Sequence, residues 1–241
     1  MSEDERSMMP RYRWIREQLI KMIIDRKLKG GDALESESQM AKQFGVALGT
    51  LRKAVDDLVA RNVLERVQGK GTFVAMQNVD AALNLFHIVG NDGTKELPGF
   101  HELLGVRVRA AAPHEQRLLA GPDDKVVELK RTRTFSDGGI INESVCLSNQ
   151  RFPDLKQRLG DQRPVLLYEF YEQEYSFRVV SFESRLRAVA ATAEDAKRIG
   201  CAKGAPLLEV ERLGMGIDAV PIELRTSRCQ TIHQHYLHRY Q

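Results

Sequence analysis

The 241-residue sequence predicts an α+β chain of two domains: a small helical one closed by a β-hairpin, then a larger antiparallel sheet with helices on one side. Three observations carry that expectation. Apolar residues recur at helical spacing as far as about Arg61, a glycine separates the second helical stretch from the third, and beyond Leu83 strand-like runs alternate with short helical ones. A hydrophobic content of 42% is ordinary for a globular protein, and the length exceeds one average domain.

Pro10 leads a helix from about Arg11 to Arg26, with Ile15, Leu19, Met22 and Ile23 as its apolar stripe. Arg11, Tyr12 and Arg16 of that helix lie where basic or hydroxyl groups could touch phosphate. Residues 28–33 then turn through Gly30 and Gly31. Ser36 starts a second helix, Gln39 completes its capping box, and Met40, Ala41 and Phe44 follow at helical spacing. Gly45 ends it. Glycine tolerates the left-handed backbone that lets a chain leave one helix and enter the next within about three residues, the mark of a helix-turn-helix. The third helix runs from about Ala47 to Arg61 with Leu51, Ala54, Val55 and Leu58 inward, which turns Thr50, Arg52, Lys53 and Asp57 wholly or partly outward. Its polar, basic N-terminal half suits a DNA major groove. Two short strands follow, Val63 to Val67 and Thr72 to Ala75, joined by Gln68-Gly69-Lys70-Gly71, a tip slim enough to approach a phosphate or the minor groove.

Charge agrees with this division. Residues 1–75 hold 14 Lys and Arg against 11 Asp and Glu, whereas the remainder is balanced, so the whole net charge of +3 lies in the helical domain, as DNA attraction requires. No apolar run approaches the roughly 20 residues of a membrane-spanning helix. Glu3-Asp4-Glu5 before Arg6 is not the basic-then-apolar order of a secretory signal, so a cytoplasmic protein with no membrane partner is expected. Cys146, Cys201 and Cys229 are widely spaced, without metal-ligand spacing, and read as reduced, partly buried thiols; neither cofactor nor metal is expected.

Pro10-Arg11-Tyr12, Lys29-Gly30-Gly31-Asp32, Ser36-Glu37, Phe44-Gly45-Val46, Thr50-Leu51-Arg52 and Gln68-Gly69-Lys70-Gly71-Thr72-Phe73-Val74 together resemble the winged helix-turn-helix of GntR-type bacterial transcription regulators. The resemblance implies that Arg52 reads a base edge or phosphate in the major groove, that Thr50 holds the DNA backbone, and that Gly69 and Lys70 reach the minor groove. Beside these, the expected DNA-binding set takes in Arg11, Tyr12, Ser36, Ser38, Gly49, Lys53 and Gln68. The chain departs from the family at Glu35, often proline, at Ser38, often arginine, and at Ala47-Leu48, often Ser-Arg. Ala47 cannot cap the recognition helix as serine would, and Gly49 offers closer backbone approach instead.

After residues 76–83, which lack helical or strand periodicity and are read as a linker between a reader at 8–75 and a second domain at 84–241, strand-like runs cover about Leu85–Val89, His101–Ala111, Val126–Phe135, Ile140–Leu147, Phe177–Ala190, Leu207–Met215 and Val220–Thr231. Helices fit Glu115–Ala120, Pro153–Leu159, Leu166–Glu174 and Ala193–Ile199, the last opened by a Thr192/Asp195 capping box and ended by Gly200. Asp137-Gly138-Gly139 and Gly216-Ile217-Asp218 read as hairpin turns. Alternation places Arg131, Arg133 and, across the first hairpin, Glu143 on one sheet face. An anion pocket and a plain cross-strand ion pair both fit that spacing.

Arg131-Thr132-Arg133, Glu143, Phe152-Pro153-Asp154-Leu155, Pro164 to Tyr168, Gly204 to Leu208 with Glu211-Arg212, and Pro221-Ile222-Glu223 resemble the ligand-sensing UTRA domain of the HutC subfamily, which shares the chorismate-lyase fold. The resemblance implies a small-molecule effector bound by Arg131, Arg133, Glu143, Tyr168 and Glu223, with the arginines on its anionic group. Ser227 and Cys229 stand where the family usually has Asp and Tyr, and no serine precedes Leu167-Tyr168, so a ligand other than an aminosugar phosphate is expected. His233, His235 and His238 have the only metal-like spacing and read as solvated side chains of a polar tail. The expected function is a non-enzymatic transcription regulator, a repressor binding a palindromic double-stranded operator as a homodimer under control of a small anionic metabolite. An enzyme or ligand carrier of chorismate-lyase-like fold tethered to DNA is the alternative, although no nucleophile elbow, phosphate loop or metal motif is present.

Overall fold

The computed structural model describes residues 10–76, 88–119 and 124–237. The chain divides into two compact units, Met1–Gln77 with Gly216–Ala219, and Asn78–Met215 with Val220–Gln241.

In the first unit, α1 (Arg11–Asp25) buries Ile15, Leu19, Met22 and Ile23, the expected stripe. Helix α2 (Glu37–Gln43) opens on the Ser36 and Gln39 capping box in both directions, side chain to backbone each way. Gly45 has φ +63, the left-handed turn before α3 (Leu48–Ala60). Strands β1 (Leu64–Val67) and β2 (Gly71–Val74) pair antiparallel from Leu64 opposite Val74 to Val67 opposite Gly71. The wing has a further segment that the sequence conceals. Gly31 N–H donates to the Val74 carbonyl at 2.8 Å, Leu34 N–H to that of Thr72 at 2.9 Å, and Ala33 bridges Phe73, so residues read as part of a turn lie along the outer edge of β2.

The second unit is built on a six-stranded sheet in the order β4-β5-β6-β9-β8-β7. Its strands are β4 (Gly99–Ala110), β5 (Lys125–Thr134), β6 (Ile140–Ser148), β7 (Val179–Ala190), β8 (Pro206–Gly216) and β9 (Pro221–Cys229). The β4/β5, β5/β6, β6/β9 and β8/β9 pairs are antiparallel. Asp137-Gly138-Gly139 turns β5 into β6, with Gly138 at φ +87 and Gly139 N–H donating to Asp137 Oδ1 at 2.9 Å. Helices α4 (Pro113–Leu119), α5 (Leu155–Leu159), α6 (Leu167–Tyr175) and α7 (Ala193–Ile199) occupy the connections, and the Thr192/Asp195 box caps α7 as expected. Val127, Leu129, Val145 and Leu147 of the sheet pack with Phe152, Leu155 and Leu159 and with Leu167, Phe170 and Tyr171 of α6.

The C-terminal segment differs from its reading as a polar tail. Gln234–Tyr236 forms β10, which pairs antiparallel with β3 (Ile88–Gly90), and Gln234 is buried with its Nε2 donating to Asp137 Oδ2 at 2.8 Å. A three-residue strand with a distant partner leaves no periodicity to detect. His233 and His235 are exposed, His238 lies outside the described residues, and no metal-ligating cluster occurs among the described ones. Residues 77–83 of the linker reading, and residues 85–87 of the strand-like run expected from Leu85, also fall outside the described residues.

Phe152 is fully buried, with ring centroids of Tyr171, Tyr175 and Phe177 at 5.0, 4.9 and 5.1 Å. Phe152→Ala is expected to cost about 3–5 kcal/mol in urea unfolding of this unit, since the cavity is walled by the sheet and cannot collapse freely.

Candidate DNA-reading surface and effector site

The inward stripe of Leu51, Ala54, Val55 and Leu58 fixes the roll of α3, leaving Gly49, Arg52 and Lys53 exposed and Thr50 half-buried. Ala47 makes no side-chain cap bond, and nothing lies within 4 Å of where a Cβ on Gly49 would stand, so the first turn is open. Tyr12 gathers cations from two helices: Lys53 Nζ sits 4.5 Å from its ring centroid, and Arg13 Nε donates to its hydroxyl at 3.3 Å. Arg11 is exposed beside it. Arg16 instead pairs with Asp57 of α3 at 3.1 Å and belongs to the scaffold. Ser36 is engaged in its cap, and the Ser38 hydroxyl lies 3.1 Å from it. Gln68, Gly69 and Lys70 form the exposed wing tip, with Gly69 at φ +75.

Sequence reasoning missed Arg66 and the place of Glu37. Arg52 Nε donates to Glu37 Oε2 at 3.1 Å, while Arg66 of β1 donates to Glu37 Oε1 through Nη2 at 2.8 Å and Nε at 3.1 Å. Arg66 also pairs with Asp56 of α3. Their separation in sequence hid the cluster.

In the second unit the strand registers set Arg131 opposite Glu143, Glu143 opposite Ser227, and Arg225 opposite Arg212. Arg131, Arg133, Glu143, Arg212, Glu223 and Arg225 thus share one face, all buried. Arg131 Nε donates to Glu143 Oε2 at 2.6 Å, Ser227 donates to Glu143 Oε1 at 3.1 Å, and Arg225 Nη1 lies 3.5 Å from that oxygen. Burial opposes charge on Glu143, but Arg131, Arg225 and Arg133 outweigh it and hold the carboxyl far below the usual carboxylate range. Glu223 accepts from Tyr168 at 3.1 Å, Tyr171 at 2.7 Å and Arg225 at 2.8 and 2.9 Å. Arg133 donates to the Pro98 carbonyl. Burial, with repulsion from Arg131 and Arg225 set against the attraction of Glu143, pulls its guanidinium down to about 9, still cationic at neutral pH.

A narrow cavity of about 30 Å³ is lined by Arg133, Glu143, Arg212, Ser227, Cys229, Ile141, Val210, Ile88 and Tyr236. Of the five expected effector residues, Arg133 and Glu143 reach this wall. Arg131 turns to Glu143 and to the Pro164 carbonyl at 2.8 Å, and Tyr168 and Glu223 satisfy each other. Among the wall residues not assigned by the sequence reading, Arg212 could have been found by its position opposite Arg225, but Ile88 and Tyr236 could not, because the β3/β10 pairing was invisible. A wider open groove of about 560 Å³ between β4 and α5 contains none of the five.

A DNA-reading winged helix and a separate domain with a charged cavity define a two-part sensor. Residues 11–74 match the gntR family of bacterial regulatory proteins and residues 101–233 the UTRA domain. The chain belongs to the GntR family, of the HutC type that carries a UTRA domain, and is a DNA-binding transcription regulator. It is 27% identical over 220 residues, 91% of this chain and 90% of the other, to an Escherichia coli K12 protein named for repression of a fructoselysine utilization operon. It is 28% identical over 213 residues, 87% of each chain, to the mannosyl-D-glycerate transport/metabolism system repressor MngR of the same organism. The ligand-binding domain of a Bordetella bronchiseptica protein described as a GntR-family regulator superposes with TM-score 0.57 at 24% identity, covering 65% of this chain and 97% of that one, a likeness of fold.

Because the Glu143 carboxyl titrates lower in the folded protein than unfolded, its contribution is full above the unfolded value near 4.5 and is lost as pH falls below it. Glu143→Gln is expected to cost about 3–5 kcal/mol at neutral pH, as removal of one partner of a buried pair does, and its deficit against wild type should narrow in acid. Denaturant titrations across pH check both.

Proposed function

We propose that this regulator is a repressor that binds a palindromic operator as a homodimer and is released by a small anionic metabolite. The observation that carries the reading is the charge count on the buried face: four guanidiniums, of Arg131, Arg133, Arg212 and Arg225, against two carboxylates, of Glu143 and Glu223. An anion entering beside Arg133 would relieve that excess, with Ser227 offering a hydroxyl and Ile141, Val210 and Cys229 an apolar wall. In this reading residues 8–75 are the reader, 76–83 the linker and 84–241 the effector and dimerisation domain, working in the cytoplasm with the DNA. Arg11, Tyr12, Ser36, Ser38, Gly49, Thr50, Arg52, Lys53, Gln68, Gly69 and Lys70 supply the DNA contacts. Arg131, Tyr168 and Glu223 act behind the effector wall, by holding Arg225 and Glu143 in place.

The cavity has room for roughly one water, so an effector enters only if a wall moves. Seven of the nine wall residues belong to the six-stranded sheet; Ile88 and Tyr236 come from the β3/β10 ribbon. The ribbon is the wall that yields, and β3 is the first strand after the linker among the described residues. Chemistry at the site is disfavoured by its groups. Glu143 is held as an anion and so has no proton to give, and burial pushes the Cys229 thiol up to about 11, away from the nucleophilic thiolate.

Arg133→Ala is expected to leave operator affinity without ligand nearly intact and to abolish release by the metabolite. Calorimetric titration of candidate carboxylates and phosphates into free and operator-bound protein provides the test, because linkage requires operator to change ligand affinity by the factor with which ligand changes operator affinity. Identical affinities in the two titrations would show uncoupled sites. A recognition helix spans few base pairs, so footprinting should show two half-sites related by a two-fold axis, and sedimentation a dimer on the operator.

A further inference from the structure

We propose that Glu37 is a positioning residue for operator recognition, one carboxylate that aims Arg52 of the recognition helix and Arg66 of the wing together. The inference rests on the reading of Arg52 as a DNA contact. Each carboxylate oxygen takes a different arginine, Oε2 the Arg52 Nε and Oε1 the Arg66 Nε and Nη2. The Glu37 side chain is 19% exposed and that of Arg52 60%, so the acid is the sheltered end and the guanidinium the exposed one. Among the described residues Nε makes the only side-chain hydrogen bond of Arg52, which leaves its two terminal nitrogens for the paired acceptors of a base edge or a phosphate. A guanidinium tethered through Nε presents its Nη pair in a fixed plane, and a long arginine side chain loses less freedom on binding when it is already held. The Arg66 pair with Asp56 of α3 closes the figure, so that α2, α3 and the wing meet on three side chains. Exposed ion pairs contribute little to folding stability, so the effect of this cluster is on where its arginines point.

Simple electrostatics and positioning predict opposite signs. Removing an acid from a surface that faces phosphates should tighten binding to every duplex, whereas loss of the tether should weaken binding to the preferred one. The test uses the full chain, a duplex that the wild-type protein selects from a random-sequence pool, and poly(dI-dC) as non-specific duplex. Glu37→Gln is expected to weaken binding to the selected duplex about tenfold, within the range of one base-reading arginine, while binding to poly(dI-dC) is unchanged or tighter. In the Arg52→Ala background the same substitution should cost less on the selected duplex than in wild type, because Glu37 then has only Arg66 left to aim. Equal or tighter binding of Glu37→Gln to the selected duplex, or an undiminished loss in the Arg52→Ala background, overturns the proposal. Wild-type affinity of Arg52→Ala itself is a separate outcome, which removes the reading of Arg52 and the proposal with it. Thermal melts accompany each variant. Should Glu37→Gln fail to fold, Arg66→Ala keeps the acid and removes one of its two partners, and it must lower the ratio of selected to non-specific affinity; an unchanged ratio overturns the proposal.

Discussion

A carboxylate stays ionised in a protein interior only where cations fixed around it outweigh the loss of water, and Glu143 imposes that condition on the sheet of the second unit. Its cations come from strands on both sides, Arg131 from β5 and Arg225 from β9, with Ser227 of β9 donating as well. All three arrive only if the β5/β6 and β6/β9 registers are correct at once, since a slip of one residue turns every side chain to the opposite face. Desolvating an ion costs several kcal/mol, so a misregistered sheet that buried Glu143 without these partners would be strongly disfavoured. Glu223 extends the condition to α6 through Tyr168 and Tyr171, whose hydroxyls it accepts from, and burial raises Tyr168 to about 12, keeping that hydroxyl a donor. The charged face therefore selects one arrangement of strands and helix while the apolar cluster around Phe152 supplies the driving force.

The reader divides the same tasks differently. Its fold rests on apolar burial, with Ile15, Leu19, Met40, Leu51, Leu58 and Val74 at zero exposure, and on a wing stitched to residues 31–34 by backbone hydrogen bonds. Its charges lie outside, at Arg52, Lys53, Arg66 and Lys70. Such groups contribute roughly 0–1 kcal/mol per pair to folding, which frees them to be arranged for a partner. The sheet encloses the arginines of its buried face, and the winged helix displays Arg52 and Arg66.

Much of this was legible in the sequence where the signal is local. Capping boxes at Ser36/Gln39 and Thr192/Asp195, the turn at Gly45 and the hairpin at Gly138 are each set by neighbours within a few residues, and each occurs where the spacing predicted it. Alternation placed Arg131, Arg133 and Glu143 on one face, but alternation does not say which of two arginines pairs and which faces a cavity. That choice depends on Pro98, Pro164 and Arg225, distant in sequence. The β10 strand, the wing edge at residues 31–34 and the meeting of Glu37 with Arg66 share this cause. Each is a contact between short segments far apart along the chain, with too few residues to carry a period.

The asymmetry of the cavity wall bears on how a signal could leave it. The wall strands β5, β6, β8 and β9 each have a neighbour on both flanks of the six-stranded sheet, whereas β3 and β10 are three residues each and form a separate two-stranded ribbon, with Ile88 packed among Phe135, Ile141 and Cys229. On the proposed reading the part of the wall that yields is Ile88 and Tyr236 rather than Ile141 or Val210. Binding can shift the reader only through a difference in ligand affinity between two arrangements. A wall that has an open and a closed position offers that difference, and a rigid one does not. Among the described residues β3 is the first strand or helix of the second unit, so in chain order the ribbon begins ahead of the whole six-stranded sheet. The ribbon thus joins β3, which begins inside the strand-like run read at about Leu85–Val89, to β10, which sequence patterns did not show, and it is the part of the cavity wall that lies outside the six-stranded sheet.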